Sequence, residues 1–346
     1  MSNEQRAKLR YYPLPLLFVI CYLLFSCKSA PKAPEGTLLE SGVVPLDKGA
    51  AAYALIDVAR ARPIMEGISY IPLNDKNIKQ MLDRTQSAAV AVFSPSSKET
   101  RRFQLVSWGS YPASGASMAF GTNKAWKKQK SASLNIVYWH SDKAQMSVAV
   151  GSSQAFVLVA MTKIPHDPIP SPEGIKIPDG FGGFAGDAVF SCWIPNPAPS
   201  LNQKLKGMGL PLEIPAEQLF ISLFPPDGQA SASQPSSPAE TASPAKTASP
   251  AETLYEAYIK IKLPGETQAR AIIALLSLAR TFMPPPKMPP PAEPSDSQDI
   301  VAQKSATMMV YILFANPIVQ EGDSLIIKTP PLNARDISLL FSMFSL

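Results

Sequence analysis

"LYEAYIKIKLPGETQARAIIALLSLARTF", residues 254–282, carries two different hydrophobic periods, separated by Pro264 and Gly265. Before the proline, Tyr258, Lys260 and Lys262 alternate with Ala257, Ile259 and Ile261. A period of two is what a half-buried, largely antiparallel strand requires. After the glycine the period changes. At about 100° per residue, Ile272, Leu275, Leu276, Leu278, Ala279 and Phe282 share one broad face, while Glu266, Arg270, Ser277, Arg280 and Thr281 fall on the other. The stretch predicts a strand followed by an amphipathic helix over 266–282. Such a pair places the chain among α+β folds, with helices packed on sheets.

Working outward, "GDAVFSCWIP" (186–195) and "EQLFISLFPP" (217–226) read as strands, with a helix in "SLNQKLKGMG" between them. "TMMVYILFANP" (307–317) and "DSLIIKTPP" (323–331) read as strands, and "LNARDISLLFSMFSL" (332–346) as a closing helix. The N-terminal half repeats the order. "GAAAYALIDV" (49–58) is β-rich and leads into a helical stretch, Arg60 to Gln86. "AAVAVFSP" and "RRFQLVSWGS" follow as paired strands, "YPASGASMAFG" as a short helix, and "LNIVYWHS", "QMSVAVGS" and "AFVLVAM" as strands. Each half therefore reads strand–helix–strand–strand–helix–strand–strand, which predicts an internal duplication of two similar mixed sheet/helix units. The expected boundaries are 49–162 and 186–346, joined by a Pro/Gly-rich connector, 163–185.

Two stretches of the second half interrupt this scheme. Residues 225–253 hold the near repeat "SPAETASPAKTASPAET", and residues 283–304 carry seven prolines in "MPPPKMPPPAEPSDSQDIVAQK". Neither offers enough apolar area to offset the entropy of ordering, so both are expected as disordered insertions.

The N-terminus states where the chain lives. Arg6, Lys8 and Arg10 precede an uncharged run from Tyr11 to Cys27 that is too short and too proline-bearing for a span of about 20 residues. A basic n-region with a short apolar h-region reads as an export signal, residues 1–26. Leu24, Phe25, Ser26 and Cys27 resemble a bacterial lipobox in its looser spirochaetal form. That resemblance implies acylation of Cys27, which becomes the first mature residue, with 27–48 as a tether. Stable anchoring takes two acyl chains or more. Lys28, in place of an aspartate after the cysteine, is expected to send the lipoprotein to the outer membrane.

The rest of the composition narrows the function. Removing the signal lowers the net charge from the full chain's +5 to +3, since it takes three cations and Glu4 with it. That charge is spread along the chain and makes no case for nucleic acid. Cys192 is left as the one thiol, flanked by apolar residues, so no internal disulfide is expected. His140 and His166 have no metal-ligand spacing around them, Ser114 lacks the nucleophile elbow, and "GFGGFAG" (180–186) lacks a phosphate-loop lysine. No metal, cofactor or catalytic residue is expected.

Amphipathicity remains. The C-terminal helix presents Ile337, Leu339, Leu340, Phe341, Met343 and Phe344 over more than half its circumference, and "NKAWKKQK" (123–130) sets Trp126 among four lysines. Packing on a sheet accounts for the helix faces, and a solvated turn beside a strand accounts for the lysines. The sharper reading makes Ile272, Leu275, Leu276, Phe282, Leu340, Phe341, Phe344 and Trp126 candidate membrane or lipid contacts. Lipobox, duplicated α+β body and broad amphipathic helices together resemble the treponemal outer-membrane lipoproteins. The resemblance implies a non-enzymatic, acyl-anchored protein facing the periplasm that binds lipid or amphiphile and inserts into or perturbs the outer membrane. The alternative is a structural or assembly partner of another envelope protein.

Overall fold

The computed structural model describes residues 43–44, 46–67, 79, 82–94, 102–111, 113–131, 136–151, 156–161, 168, 174–176, 178, 188–207, 213–225, 253–282, 287–290 and 296–343. The fold is mixed α+β, with antiparallel sheet and several helices. Two compact units form, one from Met1–Ala59 with Pro72–Gly186 and the other from Arg60–Ile71 with Asp187–Leu346. The lipobox, the connector's glycine run, His166 and the serine-proline repeat lie outside the described residues.

In the first unit, β1 (Val43–Val44) comes first, then β2 (Ala52–Asp57); α1 (Val58–Gly67) starts directly after it and from Arg60 onward belongs to the second unit. β3 (Thr85–Phe93) and β4 (Arg102–Gly109) form the expected pair, followed by α2 (Ala113–Thr122). β5 (Lys127–Lys130), β6 (Val137–Ser141), β7 (Met146–Val150), β8 (Phe156–Met161) and β9 (Ile175–Lys176) complete it. The order β2-β3-β4-β8-β7-β6-β5 is antiparallel at every step, and β1 pairs separately with β9. Phe120 of α2 stacks on Trp139 at 5.2 Å and meets Trp126 edge-on at 4.8 Å, over Met146, Val148 and Val159.

The second unit runs β10 (Phe190–Ile194), α3 (Ala198–Gly207), β11 (Gln218–Phe224) and β12 (Leu254–Lys262), then α4 (Glu266–Phe282) and α5 (Gln298–Ala315). β13 (Ile318–Glu321), β14 (Ser324–Lys328), β15 (Leu332–Asn333) and α6 (Ala334–Met343) follow. The sheet order β10-β11-β12-β14-β13 is again antiparallel throughout, with β15 also on β12. In β12, Tyr255, Ala257, Ile259 and Ile261 point inward as the alternation requires. Cys192, the one cysteine among the described residues, sits in β10. The residue is only half-buried, yet burial of the thiol pushes its pKa up to about 12, and it is the thiol's own surroundings that decide reactivity. It is inert at neutral pH.

Three expectations need correction. "TMMVYILFANP" is the C-terminal half of helix α5, not a strand. Apolar residues on all sides leave no period to read. The helix is set from its other end, where the Ser297 hydroxyl accepts from Ile300 N–H at 3.4 Å and Asp299 faces the positive end of the dipole. For the same reason the insertion at 283–304 does not run to its expected end, since 298–304 is helix and Lys304 holds Asp296 at 2.7 Å. "NKAWKKQK" is no turn beyond Trp126, because 127–130 form β5 against β6.

Helix α6 shows how a buried carboxylate is kept. Asn333 Oδ1 accepts from Arg335 N–H at 2.9 Å and Asp336 N–H at 3.1 Å, while Asp336 Oδ2 accepts from Asn333 N–H at 3.1 Å. This is a reciprocal cap of the helix start. Burial raises the Asp336 carboxyl pKa above its ordinary value of 3.8, and the Asn333 N–H only partly offsets that. The folded chain therefore holds this proton over a window where the unfolded chain has lost it. The group's contribution to stability is full in acid and declines as pH rises from 3.8 through the raised value. Asp336→Asn should remove that part of the pH slope in urea unfolding across the carboxyl range, leaving the variant the more stable of the two at neutral pH. An unchanged slope would place the titration elsewhere.

Candidate functional site: the partly covered helix α4

Pro264 and Gly265 stop β12, and Glu266 opens α4 with an acidic residue at the dipole's positive end. Arg270 sits one turn on, 3.3 Å from the Glu266 carboxylate. The helix rests on β13, β14 and α5. Its contact strip is narrow: Ala269, Ile272 and Leu276 are 0%, 5% and 2% exposed. At 100° per residue these three span only about 60° of circumference.

Beside that strip the apolar surface continues uncovered. Leu275 is 51% exposed and Leu278 56%, and Ala271 and Ala274 are exposed with them. These four extend over about another 100°. A leucine pair at this exposure on one flank of an ordered helix is an unpaired apolar surface, whereas single exposed side chains such as Val319 on β13 need no explanation.

The C-terminal end of α4 is fixed by charge. The Arg280 guanidinium donates to Leu313 O at 2.8 Å and, at closer range, to Asn316 O. Asn316 Nδ2 donates in turn to Tyr311 O and Ile312 O at 3.3 and 3.2 Å. Together they satisfy four carbonyls at the end of α5, where a cation also complements the dipole. Burial lowers the Arg280 pKa, but a guanidinium stays charged. Its Nε is buried without a hydrogen-bond partner in the structure.

The predicted contact residues thus divide. Leu275 is presented outward. Ile272 and Leu276 are placed inside, under α4, and Trp126 is 6% exposed in the aromatic cluster beneath α2. Trp126 is buried because it meets Phe120 edge-on and packs in the cluster with Trp139, whereas Lys128, opposite Trp139 in the register, stays exposed. Phe282, Leu340 and Phe341 lie in α4 and α6, but their side chains, like Phe344 and Cys27, fall outside what the structure describes. Two further residues join the site: Leu278, which the helical wheel puts on the apolar face, and Arg280. Nothing local marks Arg280, whose partners are 33 and 36 residues away.

Chemistry elsewhere is sparse. His140 Nδ1 lies 2.9 Å from Ser147 Oγ, and His140 Nε2 lies 3.2 Å from Asp142 Oδ1 at an angle that makes no hydrogen bond. The order resembles a hydrolase triad, but Ser147 and His140 are each 1% exposed, so no substrate reaches the hydroxyl. Among the described residues no cluster of histidine, cysteine or carboxylate is arranged to hold a metal, and no helix is long and apolar enough to cross a membrane.

Residues 42–165 match the model of a family described as outer membrane-associated lipoprotein TP0453. The matched segment is about a third of the chain and lies in its N-terminal half. No curated protein sequence matches the chain. Three crystal forms of TP0453 are similar to it. Form I is 19% identical with a TM-score of 0.47, covering 88% of this chain and 99% of that one. Form III is 17% identical at 0.47, covering 86% and 95%. Form IV is 17% identical at 0.49, covering 88% and 98%.

Proposed function

From the footing of a treponemal-type outer-membrane lipoprotein, we propose that Cys27 carries the acyl anchor and that the open flank of α4 is its lipid-contacting surface. The observation that carries this is the mismatch between what α4 buries and what it could bury. Leu275 and Leu278 stay in water when the body is folded, next to a face that is packed. A helix held by its other side can lay such a flank into the headgroup boundary without unfolding. The reading is non-catalytic: the protein binds lipid or amphiphile and perturbs the outer membrane. We further read the two units as copies of one β-α-β-β-α plan, with β2, β3 and β4 answering to β10, β11 and β12.

The helix is tested with chain lacking the acyl group. Leu275→Glu with Leu278→Glu leaves the fold intact, because both positions are outward. It removes a transfer term of about 1.5–3 kcal/mol per leucine if fully inserted, so flotation with phospholipid vesicles falls at least tenfold and dye release falls with it. Unchanged flotation of the folded variant would end the α4 reading. The anchor is tested separately. Cys27→Ala abolishes incorporation of labelled fatty acid and leaves unprocessed precursor, because only the Cys27 thiol at that site can form the thioether. Normal labelling of that variant would refute acylation there.

A further inference from the structure

The first sheet ends on a strand of lysines. Lys127, Lys128 and Lys130 of β5 are exposed, as are Lys124 in the turn before it and Lys143 in the β6–β7 turn. Lys127 lies opposite His140 in the register, which brings the turn at 142–145 beside the start of β5. Among the described residues one of these lysines forms an ion pair, Lys127 with Asp142 at 2.5 Å. That contact holds the Asp142 carboxyl below its ordinary range. Lys124, Lys128, Lys130 and Lys143 are left without an ion partner among the described residues.

Lysines on an edge strand deter pairing with other strands, and that role needs nothing more. Two observations go beyond it. The strand is fixed at both ends of its sequence. Trp126, the residue before it, is buried against Phe120 and Trp139, and Gln129 Oε1 accepts the Tyr138 hydroxyl at 2.7 Å. Their backbone positions therefore have set spacing, about 6.6–6.8 Å between residues two apart. The approach to the strand is also open: Gly121 to Ala125 are all exposed, and Met118, one turn back in α2, is 67% exposed. Aliphatic lysine stems beside an outward methionine are the mixture that suits a headgroup layer.

We infer that the β5 edge with its leading turn is an electrostatic footing of the first unit on an anionic phospholipid surface, with Lys124, Lys128 and Lys130 against the headgroup phosphates. Charge complementarity selects that occupant. Each lysine brought close to an anionic leaflet strengthens association about fivefold, and the attraction fades beyond a Debye length. The inference rests on the outer-membrane placement of the chain and not on α4.

The test uses the full acylated protein reconstituted on vesicles of phosphatidylcholine, with and without about one part in four of phosphatidylglycerol. Lysine acetylation rates are read residue by residue by mass spectrometry. Lys124, Lys128 and Lys130 react at least threefold more slowly on the anionic vesicles, and high salt restores their rates. Equal rates on both vesicles overturn the footing, and so does protection that salt leaves unchanged. A polarity-sensitive dye on Leu278→Cys reports α4 in parallel. Loss of its response with lysine protection intact counts against the helix alone, and the reverse counts against the footing alone.

Discussion

Leu276→Glu will unfold the second unit, although Leu276 shares an apolar face with residues that tolerate a charge. The side chain is 2% exposed, between Ile272 and the strands on which α4 rests. Truncating a buried leucine costs about 2–5 kcal/mol. A carboxylate in the same place adds desolvation, so the total takes up a large share of a domain's stability. Circular dichroism and urea unfolding should show lost helix or a cooperative transition at much lower denaturant. Leu278→Glu, one residue pair further on and 56% exposed, should move the midpoint by less than about 0.5 kcal/mol. A folded Leu276→Glu variant would mean that α4 does not pack as described.

Gly109→Ala is expected to be nearly as costly, for a reason unrelated to glycine's backbone freedom. A Cβ at Gly109 would stand 1.9 Å from Arg84 O and 2.9 Å from Thr85 Cα. That carbonyl cannot move away easily, because it accepts the Ser110 N–H at 2.8 Å beside the register shift between Thr85 and Ser87. Relieving the clash means pulling β3 from β4 at the end of their ladder. The expected loss is on the order of 3 kcal/mol, or roughly 10 °C in melting temperature. Gly121→Ala is the matched control, since nothing lies within 4 Å of its added Cβ. In the exposed last turn of α2 it should stabilise by up to about 1 kcal/mol. Similar melts for the two variants would contradict the packing at Gly109.

Much of this architecture was legible because its elements obey one clean period each. β12 alternates along its whole length, and α4 is bounded by Pro264 and Gly265 on one side and fits a single wheel. β3 and β4 read as a pair for the same reason. Where the period vanished, the reading failed. Residues 307–315 are apolar in every direction, and only the Ser297 cap and Asp299 ten residues upstream reveal a helix there. β5 was missed because four lysines in seven residues outweigh a strand signal that consists of Trp126 alone.

The candidate site was half legible. A wheel gives the width of an apolar face, but what covers that face is decided by elements far away in sequence. Nothing local separates Leu275 from Leu276, yet one is in water and the other is in the core. The Arg280 contacts are equally hidden, since they depend on where α5 ends.

Asp47 has a mechanical consequence. Its backbone N–H donates to Gln104 Oε1 at 2.8 Å, its carboxylate accepts from Gln104 Nε2 at 2.9 Å, and its carbonyl accepts the Tyr53 hydroxyl at 3.0 Å. Gln104 is 1% exposed and sits in β4, flanked by β3 and β8. Tension applied through an acyl chain at Cys27 would reach the body along the intervening chain, whose contour from Cys27 to Val43 is at most about 55 Å. It would first strain the two-residue ladder of β1 on β9, a weak joint. Beyond that joint the load passes through Asp47 into an interior strand and is shared across its neighbours. Under pull the protein should lengthen by one short step and then resist, and removing the Gln104 amide should lower the force at which that resistance gives way.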